Sequence, residues 1–140
     1  MNARDFVVIP AAALAVMVLN VAIAFALVWI YSSVFDPGHP ASYYEAFAMR
    51  AAPISSVVAG VPLMFAAGLL IARTRPARRG LAVAAAAALL YVIVDTGILL
   101  SADAGAGVWA WAALSHATKL LSALAGARLG ANRPAGGAAS

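Results

Sequence analysis

The sequence predicts an all-α membrane protein. It reads as a four-transmembrane-helix bundle with N-terminus and C-terminus cytoplasmic and a short interfacial helix in the first outer loop. Three observations predict this. Of the 140 residues, 65% are hydrophobic and only 10% are charged, against roughly a quarter charged in a soluble domain. The apolar residues fall in four long runs, each near the roughly 20 residues needed to cross about 30 Å of hydrocarbon. The basic residues lie almost entirely on one side of those runs.

The elements follow in order. Residues 1–5 form a cytoplasmic N-terminus. The first span, about 6–31, is interrupted only by Pro10 and Asn20. Its small-x-small triplets, such as Ala22-Ile23-Ala24, look like cleavage sites. The apolar run is nevertheless far longer than the 7–15 residues of a signal h-region, so a retained helix is expected. The outer loop, 32–53, opens with the turn Asp36-Pro37-Gly38-His39-Pro40. Ser42 and Glu45 have the spacing of a capping box. Tyr43, Tyr44, Phe47 and Ala51 recur at helical spacing, predicting an interfacial helix over about 41–50. Pro53 suits the first turn of the second span, about 54–72. An arginine-rich inner loop, 73–80, leads to the third span, about 81–100. The fourth, about 108–127, runs into a flexible cytoplasmic tail, 128–140. Residues 6–127 make a single domain. Each span must be helical, because lipid offers backbone amides no partner.

Orientation rests on charge. The inner loop carries Arg73, Arg75, Arg78 and Arg79. An even number of spans then brings Arg4, Arg128 and Arg133 to the same face, so seven of the nine basic residues are cytoplasmic. Arg50 lies in an outer loop, with Asp36, Glu45 and Asp103, and Lys119 lies within a span. Short loops with this bias face the cytoplasm. The arginines read as a topology signal with attraction to anionic lipid, and no nucleic acid is expected. Trp29, Tyr31, Phe35, Tyr43, Tyr44, Phe47, Trp109 and Trp111 fall at or beyond the outer span ends, as an interfacial belt would. Richness in Ala and Gly fits a GC-rich bacterial genome. A multi-pass protein of the inner (plasma) membrane is expected, with the lipid bilayer as its first partner.

Ionisable groups inside spans cost about 2.5–3.5 kcal/mol on insertion scales, so each asks for a reason. Asp95 lies about 7–8 Å inside the outer edge, His116 about 12 Å deep, and Lys119 and Asn20 about 16 Å deep, at 1.5 Å per residue. Helical Cβ atoms lean toward the N-terminus. Asp95 on the third span and His116 and Lys119 on the antiparallel fourth therefore lean toward one another. Asp95 is expected to pair with Lys119 or His116. Ser115, Lys119, Ser122 and Gly126 form a polar and small stripe that should face the bundle, and Ala113 and Ala117 add a small-xxx-small contact.

The functional expectation is a small molecule bound or transported through a polar pocket in the outer half of the bundle. The ligand-binding or ion-pair candidates are Asn20, Asp95, His116, Lys119, Ser115 and Ser122. The alternative is a non-catalytic accessory or assembly subunit whose buried Asp–Lys/His pair is structural, within a homo-oligomer or larger membrane complex. An enzyme fits less well. Ser115 and His116 are adjacent in sequence and so do not face each other on a helix, and no second carboxylate lies in a span. The absence of cysteine removes thiolate metal sites and thiol redox chemistry. Asp36, His39 and Glu45 lack a recognised ligand spacing, so no metal and no cofactor are expected.

Overall fold

A computed structural model describes residues 2–102 and 105–132. Among them lie four helices and no strand: α1 (Ala3–Ile30), α2 (Ala41–Arg73), α3 (Ala77–Ser101) and α4 (Ala106–Ala131). The last turn of α1 widens into a π-type segment, Tyr31–Phe35. Two of the expected charges, Asp103 and Arg133, and the tail from residue 133 onward lie outside the described residues.

Three helical stretches are long and apolar enough to cross a membrane: Ala3–Phe35, Ala41–Arg73 and Ala77–Ser101. Their outward surfaces carry the exposed side chains that water would reject, such as Phe6, Val18, Phe25, Val58, Leu70 and Ile93. Such a surface suits lipid, and the chain is a helical membrane protein. α4 is a helix but not among these three. Its polar stripe of Ser115, His116, Thr118, Lys119 and Ser122 lowers its hydropathy. That stripe turns toward the other helices.

The outer loop differs from the sequence reading. A helix does begin at Ala41, but it does not stop near Arg50. It runs unbroken through Pro53 and Pro62 to Arg73, so the interfacial helix and the second span are one element of 33 residues. Proline removes one intrahelical hydrogen bond, and membrane helices tolerate this where side chains engage the neighbouring backbone. Ser55 Oγ donates to the Ala52 carbonyl (3.0 Å) and Arg50 Nε to the Ala46 carbonyl (3.2 Å), neither of them a carbonyl that Pro53 or Pro62 leaves free, so α2 is held as one helix by its neighbours and not by these bonds. The Ser42–Glu45 capping box does not form. The helix starts from an extended Pro40, whose carbonyl accepts from Tyr43 N at 3.0 Å. The inner loop is also shorter than 73–80, because Pro76 sets the start of α3 at Ala77.

α2 and α4 form the tightest pair. Lys119 meets Ser56, Ser122 meets Val61, Gly126 meets Phe65 and Gly130 meets Leu69. The matching order means that the two helices run parallel. A Cβ on Gly68 would collide with the Ala123 backbone, and one on Gly126 with the Phe65 carbonyl. Small residues that let backbones touch are the usual adhesive where lipid weakens the hydrophobic drive. Ala113 and Ala117, expected to serve this way, are exposed instead. The contact face sits where the glycines are, toward the C-terminal halves of both helices. Two apolar clusters fill the remaining core, one around Val16, Met64, Tyr91 and Ala123, the other around Ile71, Val83, Ala87 and Ala127.

Candidate functional site

The site is built on three helices. α3 supplies Tyr91 and Asp95, which at i and i+4 share a face. α4 supplies Ser115, His116 and Lys119, and α2 supplies Ser56 and Gly60. His116 Nε2 lies 2.8 Å from Asp95 Oδ2, so of the two expected partners it is the histidine that pairs with the acid. Lys119 forms no ion pair with Asp95. It is fully buried, and its Nζ donates to Tyr91 Oη and Ser56 Oγ, both at 2.8 Å.

Its stem lies against Gly60, where any Cβ would strike Lys119 Cε. Nζ also stands 4.5 Å from the Tyr91 ring centroid, within the reach of cation–π attraction. The absence of a side chain at Gly60 thus makes the channel through which the lysine reaches its partners. Ser115, also buried, places its Oγ 3.3 Å from Ser56 Oγ. Ser122 sits apart from this cluster and donates to the Val61 carbonyl at 2.7 Å, tying α4 to α2. Asn20, on α1, does not touch the Asp95–His116 pair, but its amide lies beside the Tyr91 hydroxyl. Its buried Oδ1 has no hydrogen-bond partner among the described residues.

A cavity of about 440 Å³ opens above this cluster among α2, α3 and α4. Asp95, Ser56 and Ser115 supply its polar wall, and Pro53, Leu99 and Trp111 its apolar wall. Asp95 keeps 29% of its side chain exposed, so the carboxylate is held by His116 on one side and open on the other. Toward the opposite end of the bundle the glycine contacts of α2 and α4 close the interior.

Two further clusters were not legible as such. Asp5 is fully buried and receives Arg75 Nε (3.1 Å), Arg79 Nε (2.9 Å) and Arg79 Nη2 (2.7 Å). Two arginines of the inner loop are therefore structural clasps on α1, beyond any topology signal. The lone acid among the basic residues of this end was the available clue. At the other end, Asp36 gathers the loop. Its Oδ2 accepts from Tyr43 (2.6 Å) and Tyr31 (3.1 Å), its Oδ1 meets His39 Nε2 (3.0 Å), and its carbonyl accepts from Tyr44 (2.9 Å). The Tyr43 and His39 bonds hold the Asp36 carboxyl below its ordinary range. Tyr31 stacks on Phe47 at 3.8 Å. Part of the expected interfacial belt is thus a folded loop core, while Trp29, Phe35 and Trp111 remain exposed. Glu45 does not join Asp36 and His39, and no group of three metal-ligating side chains occurs among the described residues.

Ser56, Gly60 and Tyr91 were missed by sequence reasoning. Tyr91 lies deep in a span, four residues before Asp95, which is the signal that places it. No family model matches the chain, and no curated protein or solved structure matches it.

Proposed function

We propose that this chain is a small bacterial inner-membrane protein that binds, and in an oligomer transports, a small molecule through the cavity over Asp95. The observation that carries the reading is the half-open carboxylate. A charge inside a membrane helix is costly, and such residues commonly mark ligand or ion pathways. Asp95 is paired yet still faces a cavity with Ser56, Ser115 and Trp111. One acid, two hydroxyls and an aromatic wall suit a cationic or hydrogen-bond-donating amphipathic molecule.

In this reading α4 crosses the membrane as a fourth span, its polar stripe sheltered by the other three helices. The termini and the Arg73–Arg79 end face the cytoplasm, consistent with the basic bias of that end. The cavity then opens outward. Four helices make a narrow bundle, so transport calls for a homo-oligomer or a larger membrane complex.

The test is titration of the nanodisc-embedded protein with tetraphenylphosphonium, followed through quenching of Trp111. Saturable quenching that Asp95→Asn weakens at least tenfold supports the reading. Quenching equal in both proteins overturns it for organic cations. The burial of Lys119 favours a second reading, an accessory subunit whose polar core only orients helices. Lys119 is not among the residues lining the cavity, and two of its three donors are engaged by Tyr91 and Ser56. That reading requires Asp95→Asn to leave every function of the assembled complex intact.

A further inference from the structure

The Asp95 carboxylate meets two environments. Among the described residues, His116 is the one group that hydrogen-bonds it, Nε2 to Oδ2 at 2.8 Å. Asp95 lines the cavity of about 440 Å³, whereas His116 does not. The imidazole therefore holds the acid from behind, and a bound molecule meets it from the front.

Few charges surround this carboxylate. α4 brings His116 and the buried Lys119, whose ammonium feels the charge of Asp95 without bonding it. α3 brings Tyr91, which Lys119 engages. α2 gives the cavity Ser56 and apolar side chains, and α1 gives it none. One carboxylate cannot neutralise an ammonium, an imidazolium and a ligand cation together where uncompensated charge is costly. One positive charge has to leave when a cation arrives. Lys119 is fully buried, with two donors engaged by Ser56 and Tyr91. Histidine is the residue type that changes charge between about pH 5 and pH 8, and His116 keeps 12% of its side chain exposed.

We propose that the cavity over Asp95 exchanges an organic cation for a proton, one for one, with His116 as the group that gives the proton up. The exchange rests on the reading of this cavity as a cation site. Without a ligand, Nε2–H of the imidazolium donates to the carboxylate. When a cation settles against Asp95, the imidazolium releases its Nδ1 proton to water. The neutral ring keeps its Nε2–H bond to Oδ2, so the acid stays oriented while its charge passes to the ligand. Linkage makes the effect reciprocal: a proton added to His116 weakens the hold on the cation by the same factor. Acid at the cavity mouth therefore discharges the cation.

The experiment follows binding of tetraphenylphosphonium, whose own charge does not depend on pH, to the nanodisc-embedded chain from about pH 5 to about pH 8. The native chain should bind more tightly as pH rises, by about tenfold per unit at the acid end, and level off where the imidazole is neutral. His116→Gln should remove the slope, and His39→Gln, in the outer loop, should keep it. If His116→Gln fails to assemble or to bind, two measurements still decide. Calorimetry of the native chain in buffers of different ionisation enthalpy should count one proton released per cation at the acid end. Nitrogen NMR of the His39→Gln chain, whose one remaining histidine is His116, should show the ring pass from imidazolium to neutral as the cation is added. Affinity independent of pH, a slope that survives His116→Gln, or binding without proton release overturns the exchange and leaves a plain cation site. Absence of saturable binding at every pH overturns the reading of the cavity, and the exchange with it.

Discussion

His116 Nε2 lies 2.8 Å from Asp95 Oδ2 and ties α4 to α3, while Lys119, one turn further along α4, bonds only neutral oxygens. The two bases of α4 thus have different tasks. His116 holds an acid at a cavity, and Lys119 fills the interior between α2 and α3.

Interhelical hydrogen bonds in membranes average about 0.6 kcal/mol and reach about 1.7. His116→Leu should therefore destabilise the protein by about 1 kcal/mol in reversible detergent unfolding. Asp95→Asn keeps a hydrogen-bonding oxygen and should cost less than that. Its main effect should fall on cation binding.

Lys119 and Gly60 should be strongly non-additive. Gly60→Ala drives a methyl into Lys119 Cε and should cost about 1–3 kcal/mol. In a Lys119→Ala background the space is open, and the same change should be neutral or stabilising by up to about 1 kcal/mol of helix propensity. A double-mutant cycle in unfolding free energy measures the coupling.

The α2–α4 seam should tolerate no bulk. Gly126→Leu pushes against the Phe65 backbone, which cannot swing aside as a side chain can. A loss of about 1–3 kcal/mol or more is expected. Gly97→Ala meets nothing within 4 Å and should be harmless, so it serves as the control.

How much of this was legible in the sequence depended on range. The three apolar membrane-capable helices, the charge bias and the Asp95–base pairing follow from local hydropathy and helix direction, which need only about 1.5 Å and about 100° per residue. The choice of His116 over Lys119 does not. It depends on Gly60 opening a path from α4 to Tyr91 and Ser56, a contact between segments about 60 positions apart. The same holds for Asp5, whose partners lie 70 and 74 residues away. The continuity of α2 through Pro53 was misjudged because proline's local penalty was set against a helix held by its neighbours.

Asp36 gives the outer loop a pH dependence of defined sign. Its folded carboxyl sits below the ordinary value of about 3.9. The loop's stabilisation is therefore complete above that value and is lost as pH falls through the lower folded one. Limited proteolysis at acid-tolerant sites in 36–40 should be slow near pH 5 and accelerate only on further acidification. Asp36→Asn should weaken the loop at both pH values and flatten the dependence.

Asp5→Asn should loosen the N-terminal turn of α1. Amide exchange there should rise, while α4 is unaffected. Arg75→Ala and Arg79→Ala together should reproduce the effect.

The chain has no cysteine, so one introduced thiol reports alone. Ser56→Cys places it at the floor of the cavity over Asp95, and a membrane-impermeant maleimide can be offered from either face of sealed vesicles. An outward-open site sealed by the Gly68, Gly126 and Gly130 contacts should label from the outer face only, and tetraphenylphosphonium should slow the reaction. Labelling from the cytoplasmic face, or from neither face while the unfolded protein reacts fully, would contradict a ligand site opening outward over Asp95.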